Sequence, residues 1–400
     1  NKIRHKMEIL APVGNRNMLT AAVKAKSDAI YFGIKDFNMR VTAGNFELDE
    51  VTEIVSYCHD NNVKAYCTVN IIIYESELKK LSEVLTTLKE AKIDAVICWD
   101  LAVVKKCKEL GISVHLSTQA SVSNSESAEY WKSLGVERIV LARECSLEDV
   151  KTIKEKTGMR IEVFVHGARC ISYSGRCFMS QELFGKSANR GECWQPCRRE
   201  YKVTDEEGKE MIMDNNFVMS AKDLCALPIL DKLMFVDCLK IEGRNRGASY
   251  VSKVVSVYRR AIDALKMEEF TEELVNSLVE ELREVYNKDF STGFFVDYPH
   301  HQRADIYGSK ASTEKVLLGK VENYYKKIGV VEFKVESEGF KLGDKLSFVG
   351  PTTGHEEVIV SELKDDSGEI EEAKKGEIIS VKIDFLVREN DKVYLVRKRS

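Results

Sequence analysis

The sequence has few prolines, no long apolar run and no strong excess of charge of either sign. Its five prolines exclude a proline-rich linker. No stretch approaches the roughly 18 uninterrupted apolar residues of a membrane span, and the N-terminal NKIRHKMEIL lacks an apolar signal core. We therefore predict a cytoplasmic protein that neither crosses a membrane nor is secreted.

Cysteine, in contrast, is plentiful, with 11 in the chain. Disulfides are typical of small secreted proteins, which this composition does not indicate. Four cysteines fall close together, at Cys170, Cys177, Cys193 and Cys197. Such a thiolate set is typical of zinc or of an iron–sulfur cluster. The intervals of six, fifteen and three residues match neither a zinc ribbon nor a ferredoxin, so the spacing leaves the metal open.

A fifth cysteine, Cys238, lies on the last predicted strand of the domain described below. We expect it near the same site, where it could replace one of the four ligands. The remaining cysteines lie in apolar patterns and are predicted to be buried.

The charge is unevenly distributed along the chain. The net charge is −4, yet residues 167–202 carry seven Lys or Arg against three Glu. The segment is therefore about +4 and the rest of the chain about −8. If such a chain binds a nucleic acid, we expect modest, salt-dependent binding at this one patch, unlike that of a strongly basic nucleic-acid packer.

Short β-branched and aromatic runs alternate with amphipathic stretches of helical period. Eight β/α units over about 260 residues are typical of a TIM-like (β/α)8 barrel. A doubly wound open sheet is the alternative, but no glycine-rich phosphate motif follows the first strand. The predicted strands cover residues 8–13, 29–34, 64–70, 95–100, 113–118, 138–143, 160–166 and 236–242.

The pattern also predicts a domain organisation. A TIM-like barrel covers 7–270, and a Cys-rich insertion at 167–235 separates strands 7 and 8. A helical and irregular connector follows at 271–313. Short strands between turn residues then indicate a small closed β-barrel at 314–400, a fold that often binds RNA or a partner.

Polar side chains concentrate where the predicted strands end, and in TIM barrels these ends collect the functional groups. His166 ends strand 7, so we expect its ring to point towards the barrel mouth. Arginine and lysine there suit an anionic substrate, although a salt-bridge network that closes the barrel end is the alternative. The candidate catalytic residues are His166, Lys240, Glu242 and Arg143, and the candidate substrate-binding residues are Arg40, Asn70, His115, Gln119, Tyr173 and Arg244.

Several of these segments together resemble a known family. The motifs are EVFVHGARCISYSGRCFMS, SANRGECWQPCRREY, MSAKDL and LKIEGR, preceded by LAPVGN and HLSTQAS. They resemble the collagenase-like peptidase family U32, and the resemblance covers nearly the whole chain. Within it, the chain is most similar to the prephenate-dependent tRNA uridine hydroxylases, which place a hydroxyl group on carbon 5 of the wobble uridine.

The resemblance implies a cofactor and partners. By position, Cys170, Cys177, Cys193 and Cys197 become the ligands of a 4Fe-4S cluster, with zinc as the alternative metal. Cys238 stands where relatives commonly have serine. The implied partners are tRNA and a small dicarboxylate, prephenate, with no DNA. Arginines of the insertion would contact phosphates, and Trp194 or Tyr173 would stack on an extruded base; these arginines are Arg169, Arg176, Arg190, Arg198 and Arg199.

Two other functions stay open. The family label implies a collagenase-like peptidase, yet the sequence contains neither a G-x-S-x-G elbow nor an H-E-x-x-H motif. A zinc-stabilised RNA-binding module without turnover is the other possibility.

Overall fold

The computed structural model describes residues 7–210, 216–296 and 302–399. Its larger sheet has ten strands, of which eight form a closed ring of parallel strands, and this confirms the predicted TIM-like barrel. All eight predicted strands are present, each within a few residues of its predicted bounds. They are Glu8–Val13 (β1), Ala29–Gly33 (β2), Lys64–Thr68 (β3), Ala95–Cys98 (β4), Val114–Leu116 (β5), Arg138–Val140 (β6), Arg160–Gly167 (β7) and Cys238–Ile241 (β9, after a short β8 given below).

The barrel closes through its last strand. β9 pairs in parallel with β1, where Cys238 lies opposite Glu8, and with β7, where Lys240 lies opposite Phe164. An open doubly wound sheet has two edges and no such double pairing. The alternative fold is therefore excluded.

Helices surround the barrel, and their ends follow ordinary capping chemistry. The Asn15 side chain accepts from the Met18 N–H at 3.0 Å at the start of the first helix. The fourth helix begins at the cap Asp100 and stops at Gly111, which has a left-handed backbone. The helices are Arg16–Lys24 (α1), Val51–Asp60 (α2), Leu78–Glu90 (α3), Leu101–Leu110 (α4), Ser125–Ser133 (α5), Leu147–Thr157 (α6), Met179–Phe184 (α7), Ala248–Met267 (α8) and Glu272–Arg283 (α9).

Most of the hydrophobic core lies between the barrel strands and these helices. The barrel interior holds only a small apolar cluster, which includes Leu10, Tyr31 and Tyr66. Charged residues fill the N-terminal half of the interior. Arg138 lies there between Glu8, at 2.7 Å, and Glu162, at 3.3 Å. Buried charges of this kind are tolerated because each is paired.

The segment between β7 and β9 covers the C-terminal mouth of the barrel. It contains α7 and a short strand at Asp223–Cys225 (β8) that the sequence pattern did not predict. β8 runs antiparallel to the end of β7 and parallel to Phe290–Ser291 (β10), so it ties the insertion to the chain that follows α9.

The C-terminal part is antiparallel, as the strand pattern indicates. Eight of its strands form one sheet and two form a small second sheet, around a separate hydrophobic core. In the described residues, the eight-stranded sheet has two edge strands, and these are not joined to each other by hydrogen bonds. The strands are Thr313–Tyr325 (β11), Val330–Lys334 (β12), Phe340–Lys341 (β13), Lys345–Gly350 (β14), Gly354–Ile359 (β15), Leu363–Asp365 (β16), Gly368–Glu369 (β17), Glu372–Ala373 (β18), Ile378–Lys382 (β19) and Lys392–Lys398 (β20).

This sheet packs on α1 of the barrel. The Thr20 hydroxyl donates to the carbonyl of Pro351 at 2.6 Å, and Lys24 pairs with Glu356 at 2.6 Å. Gly354 approaches the helix so closely that a Cβ atom there would lie 2.8 Å from the backbone nitrogen of Ala21. Within the described residues, no helix is both long and apolar enough to cross a membrane.

Candidate active site at the barrel mouth

A cavity of about 140 Å³ opens at the C-terminal ends of the barrel strands, beneath the insertion. Strand ends, the loops that follow them and the cysteine segment all contribute to its walls. Eleven of the candidate catalytic, substrate-binding and metal-ligating residues line it: Arg40, Asn70, Gln119, Arg143, Lys240, Glu242, Arg244, Cys170, Cys177, Cys193 and Cys197.

The lining is strongly cationic. Six of its side chains are Arg or Lys, and among the described lining residues Glu242 is the only carboxylate. These cations are Arg40, Arg143, Arg169, Arg198, Lys240 and Arg244. A cavity with this charge and little access to water favours an anionic ligand.

Glu242 joins two arginines across the mouth. Its carboxylate lies 3.4 Å from Arg40 and 3.8 Å from Arg143. Burial raises the pKa of Glu242, but Arg40 and Arg143 more than offset this, so the pKa lies below its ordinary value. The carboxylate is therefore ionised at neutral pH and holds both guanidinium groups at the cavity.

Arg244 forms part of the cavity floor. Its Nη1 donates to the Thr68 hydroxyl at 3.0 Å and to Asn38 Oδ1 at 3.4 Å, and its guanidinium lies 5.8 Å from the Tyr31 ring centre. Burial lowers the pKa of Arg244 to about 10, so it stays charged at neutral pH. Its hydrogen-bond partners are neutral, and the Glu242 carboxylate acts on its charge without a hydrogen bond to it. Its N–H groups thus leave room for an anion.

Lys240 connects the cavity to the charged layer below it. Its Nζ lies 2.9 Å from Glu162, which also accepts from Arg138. The same nitrogen lies 4.5 Å from the ring centre of Tyr31 and 5.4 Å from that of Phe164. Lys240 is therefore already paired, in contrast to Arg244.

The four thiols lie on the side of the cavity formed by the insertion. Cys170 is exposed and the other three are partly buried. Burial raises the pKa of Cys197, and Arg198 partly offsets this effect. All four thiols line the same cavity. Among the described residues, no three His, Cys, Asp or Glu side chains are grouped tightly enough for a single metal ion.

Long-range contacts hold this segment over the mouth. Arg190 pairs with Glu77 of the loop after β3, at 3.0 Å, and Arg198 donates to the carbonyl of Ala221 at 2.9 Å. Gly191 packs directly on the loop after β2, where a Cβ atom would lie 2.4 Å from the carbonyl oxygen of Asn38. Its φ of +91° also favours glycine, so both space and backbone conformation require glycine here.

Comparison with known proteins agrees with this architecture. The family model of peptidase family U32 matches residues 14–305. The chain belongs to this family. It is 39% identical, over 98% of both chains, to an uncharacterized protease of Methanocaldococcus jannaschii.

Two further U32 relatives have names that differ in function. One is a collagenase of Porphyromonas gingivalis, 38% identical over 98% of both chains. The other is tRNA hydroxylation protein P1 of Bacillus subtilis, 34% identical over 96% of this chain and 93% of that one.

His166 does not point into the cavity of this U32 protein, so the expectation from its position was wrong. Its ring is buried outside the barrel, with ring centres 5.7 Å from Tyr258 and 5.4 Å from Phe290. The pairing with β9 shifts between Phe164 and His166, so the regular alternation of side chains breaks there. Burial lowers the pKa of His166 to about 3, and the ring is neutral.

His115 and Tyr173 also lie away from the cavity lining. His115 is in the middle of β5 rather than at its end, with its ring 4.6 Å from that of Tyr66 inside the barrel. Burial, together with Arg138 and Lys240, lowers its pKa well below the ordinary value. Tyr173 lies in a turn of the insertion with about half of its surface exposed.

Cys238 is at the opposite end of the barrel from the other four cysteines, so the prediction that it lies near the mouth was wrong. It begins β9, and its thiol lies 3.6 Å from Glu8 Oε1 in the charged layer. The first residue of a parallel barrel strand is at the N-terminal face, whereas the cavity is at the C-terminal face.

Sequence reasoning missed several lining residues, among them Tyr31, Thr68 and Phe164. Each lies on a barrel strand and faces inward. Alternate residues of a strand face the same side, so Tyr31 could have been predicted from Ala29, and Thr68 from Tyr66. Asn38 orients Arg244 from the loop after β2, a contact that no spacing rule predicts.

Proposed function

We propose that this U32 protein is an iron–sulfur enzyme that hydroxylates a uridine of tRNA at carbon 5, without molecular oxygen and with prephenate as co-substrate. The observation that supports this most directly is the placement of a cationic cavity beside four thiols. The tRNA hydroxylation relative, matched over nearly its whole length, supports an RNA substrate.

The cavity suits a small dicarboxylate. Arg40, Arg143 and Arg244 present guanidinium groups that can bind carboxylates through two parallel hydrogen bonds. The hydrogen bonds of Arg244 go to neutral side chains, so it is the candidate for the first carboxylate. Arg40 and Arg143 share one carboxylate, Glu242, and thus have charge left for the second.

The donor set fits an iron–sulfur cluster better than a single ion. A cluster of several iron and sulfide atoms is larger than one metal ion, so its four ligands stand farther apart. Four thiols that line one cavity, with no tight group of three possible ligands among the described residues, suit the larger cofactor. Cys170, Cys177, Cys193 and Cys197 would hold it, and when bound it would supply one-electron chemistry beside the anion site.

The proposed reaction balances with prephenate as the oxygen source. The C5–H bond of uridine and a C–O bond of prephenate break, and a C5–O bond forms. The uridine loses two electrons and the product derived from prephenate gains two electrons and the hydrogen. The protein binds both substrates in the cavity, and the rings of Tyr31 and Phe164 help to exclude water from it.

A peptidase is the second candidate, favoured by the collagenase relative. A peptidase with a cysteine nucleophile requires an activated thiolate and a neighbouring base. In the described residues, no histidine lines the cavity, and burial raises the pKa of Cys193 and Cys197. The geometry thus favours the hydroxylase.

Two measurements test the proposal. Protein purified without air should contain about four irons and four sulfides per chain, as expected for one 4Fe-4S cluster. A variant with Cys170, Cys177, Cys193 and Cys197 changed to Ala should contain neither, while Cys107→Ala, which changes a buried helix residue, should keep both.

In the second measurement, tRNA from cells that lack the protein is digested and its nucleosides are identified by mass spectrometry. We expect 5-hydroxyuridine to disappear, and to return with the wild-type protein only when prephenate can be made. Unchanged hydroxyuridine in cells with no second family copy would overturn the hydroxylase, and cleavage of gelatin by the purified, iron-free wild-type protein would favour the peptidase.

A further inference from the structure

A second depression continues from the active-site cavity across the protein surface. We call it the side groove; it has a volume of about 430 Å³. Five residues line both the cavity and the groove, so the two are continuous: Thr42, Cys193, Gln195, Arg198 and Asn245. The amide of Asn245 donates to the Thr42 hydroxyl at 3.2 Å on the rim between them.

Aromatic side chains line the side groove. Trp194 comes from the insertion, and Tyr286 and Tyr307 come from the segment after α9. Trp194 is 52% exposed although one side packs on Phe184, with ring centres 5.5 Å apart, and Tyr307 is 66% exposed. Large exposed rings beside an active-site opening are typical of surfaces on which nucleic-acid bases stack.

Cationic side chains alternate with these rings. The groove is lined by Arg198, Arg199 and Lys288, and none of its described lining residues is Asp or Glu. Arg198 donates to two backbone carbonyls, of Ala221 and Arg169. The buried Asp223 acts on Arg198 and Lys288 and offsets part of their charge, but it does not line the groove. The groove lining itself is therefore positively charged next to the cavity.

Lys288 is the least expected of these cations because it is 96% buried. Its Nζ lies 3.4 Å from the Ser220 hydroxyl and 6.0 Å from the ring centre of Tyr307. Burial and the nearby Arg198 lower its pKa to about 8, although Asp223 opposes this shift. A phosphate in the groove would stabilise the charged form of this side chain.

We propose that single-stranded RNA lies along the side groove. A nucleotide next to the target stacks on Trp194 or Tyr307, its phosphate lies beside Arg199 and Lys288, and the target base passes the Thr42–Asn245 rim into the cavity. This inference rests on the proposed function only in taking RNA as the substrate. Bases of any sequence can stack on aromatic rings, while the cations contact the phosphates of the RNA backbone.

The test is binding of RNA without turnover. Fluorescence anisotropy is measured on full-length protein prepared without air, with a labelled RNA hairpin that has a seven-nucleotide unpaired loop. The RNA control is a hairpin of the same length with a longer stem closed by a tight tetraloop, called the paired hairpin, and no prephenate is added. The wild-type protein should bind the looped hairpin more tightly.

Trp194→Ala and Tyr307→Ala should each weaken that binding roughly tenfold, within the range for loss of one base–aromatic stack. Trp194→Phe should keep most of it. Lys288→Met should lower the slope of log affinity against log salt by about one. Tyr130→Ala, which removes a ring 67% exposed on α5, and Lys105→Met, which removes an exposed cation of α4, are the matched controls and should leave binding unchanged.

The inference would be overturned if the groove variants, folded by circular dichroism, bound the looped hairpin as the wild type does, or if the paired hairpin bound equally well. The two proposals can fail separately. If the wild-type protein forms no hydroxyuridine but the groove variants lose binding of the looped hairpin, the proposed reaction is refuted and the groove is supported. If the groove variants hydroxylate and bind RNA normally, the groove is refuted and the proposed reaction stands.

Discussion

Lys240 Nζ lies 2.9 Å from Glu162 Oε1 inside the barrel, where the two residues are 4% and 0% exposed. This ion pair joins the active-site floor to the charged layer of Arg138 and Glu8 below it. Lys240 therefore has a structural role in addition to any contact with a substrate, and the two roles can be separated by experiment.

Lys240→Met should destabilise the protein by roughly 3–5 kcal/mol, because it leaves Glu162 as a buried charge with one fewer partner. The double variant Lys240→Met/Glu162→Gln should recover much of this loss, since Gln can still accept from Arg138. Urea unfolding measures both. A double variant no more stable than the single one would contradict the pairing, and a stable double variant without activity would assign Lys240 to the substrate.

Iron binding should distinguish the two ends of the barrel. Cys197→Ala should lower the iron content because it removes one of the four thiols at the mouth, whereas Cys238→Ala should leave it unchanged because this thiol lies beside Glu8. The measurement is iron and sulfide per chain after preparation without air. Loss of iron in Cys238→Ala with a normally folded protein would place the fifth cysteine at the cofactor.

The buried His166 should make the protein sensitive to acid. In the unfolded chain its pKa is about 6.5, but in the folded chain burial lowers the pKa to about 3. Between these values the unfolded chain binds more protons, so stability falls as the pH falls from about 6.5, by roughly 2–3 kcal/mol at pH 4.5.

His166→Phe removes this proton uptake and suits the surrounding rings of Tyr250, Tyr258 and Phe290. The variant should therefore lose less stability than the wild type between pH 6.5 and pH 4.5, measured as the shift in urea midpoint. It should also remain active, because the ring does not line the cavity. An inactive, folded variant would restore the catalytic role suggested by the sequence.

Docking of the C-terminal sheet on α1 should depend on Gly354. Gly354→Ala places a methyl group against the backbone of Ala21 and also strains a backbone with φ of +70°. Gly343→Ala is the control, because its φ is +87° and its Cβ would meet no atom within 4 Å. We expect both to lose stability through strain, but only Gly354→Ala to speed proteolytic separation of the two parts. Equal cleavage of the two variants would contradict the docking role.

The sequence was sufficient to predict the barrel because its strands are short apolar runs that recur between amphipathic helices. Residues that follow such runs must lie at the C-terminal mouth, so Arg143, Glu242 and Arg244 could be placed correctly there. The cysteine segment was recognisable because its thiols and its charge differ from the rest of the chain.

Other features depend on three-dimensional detail that no local pattern contains. The shift in strand pairing before His166 turns that side chain outward, although simple alternation would turn it inward. The pairing of Glu242 with both Arg40 and Arg143 joins three distant loops. The side groove is lined by both Trp194 and Tyr307, which are more than a hundred residues apart in the sequence.

The location of the insertion between the seventh and eighth barrel strands sets an order of events during synthesis. All four mouth cysteines leave the ribosome before the strand that closes the barrel, and β8 of the same insertion pairs with β10, which is made later still. The insertion can therefore complete its contacts only after all the barrel strands have been made. A truncation before Cys238 would keep the four thiols but lose both the closing strand and the strand that pairs with their insertion.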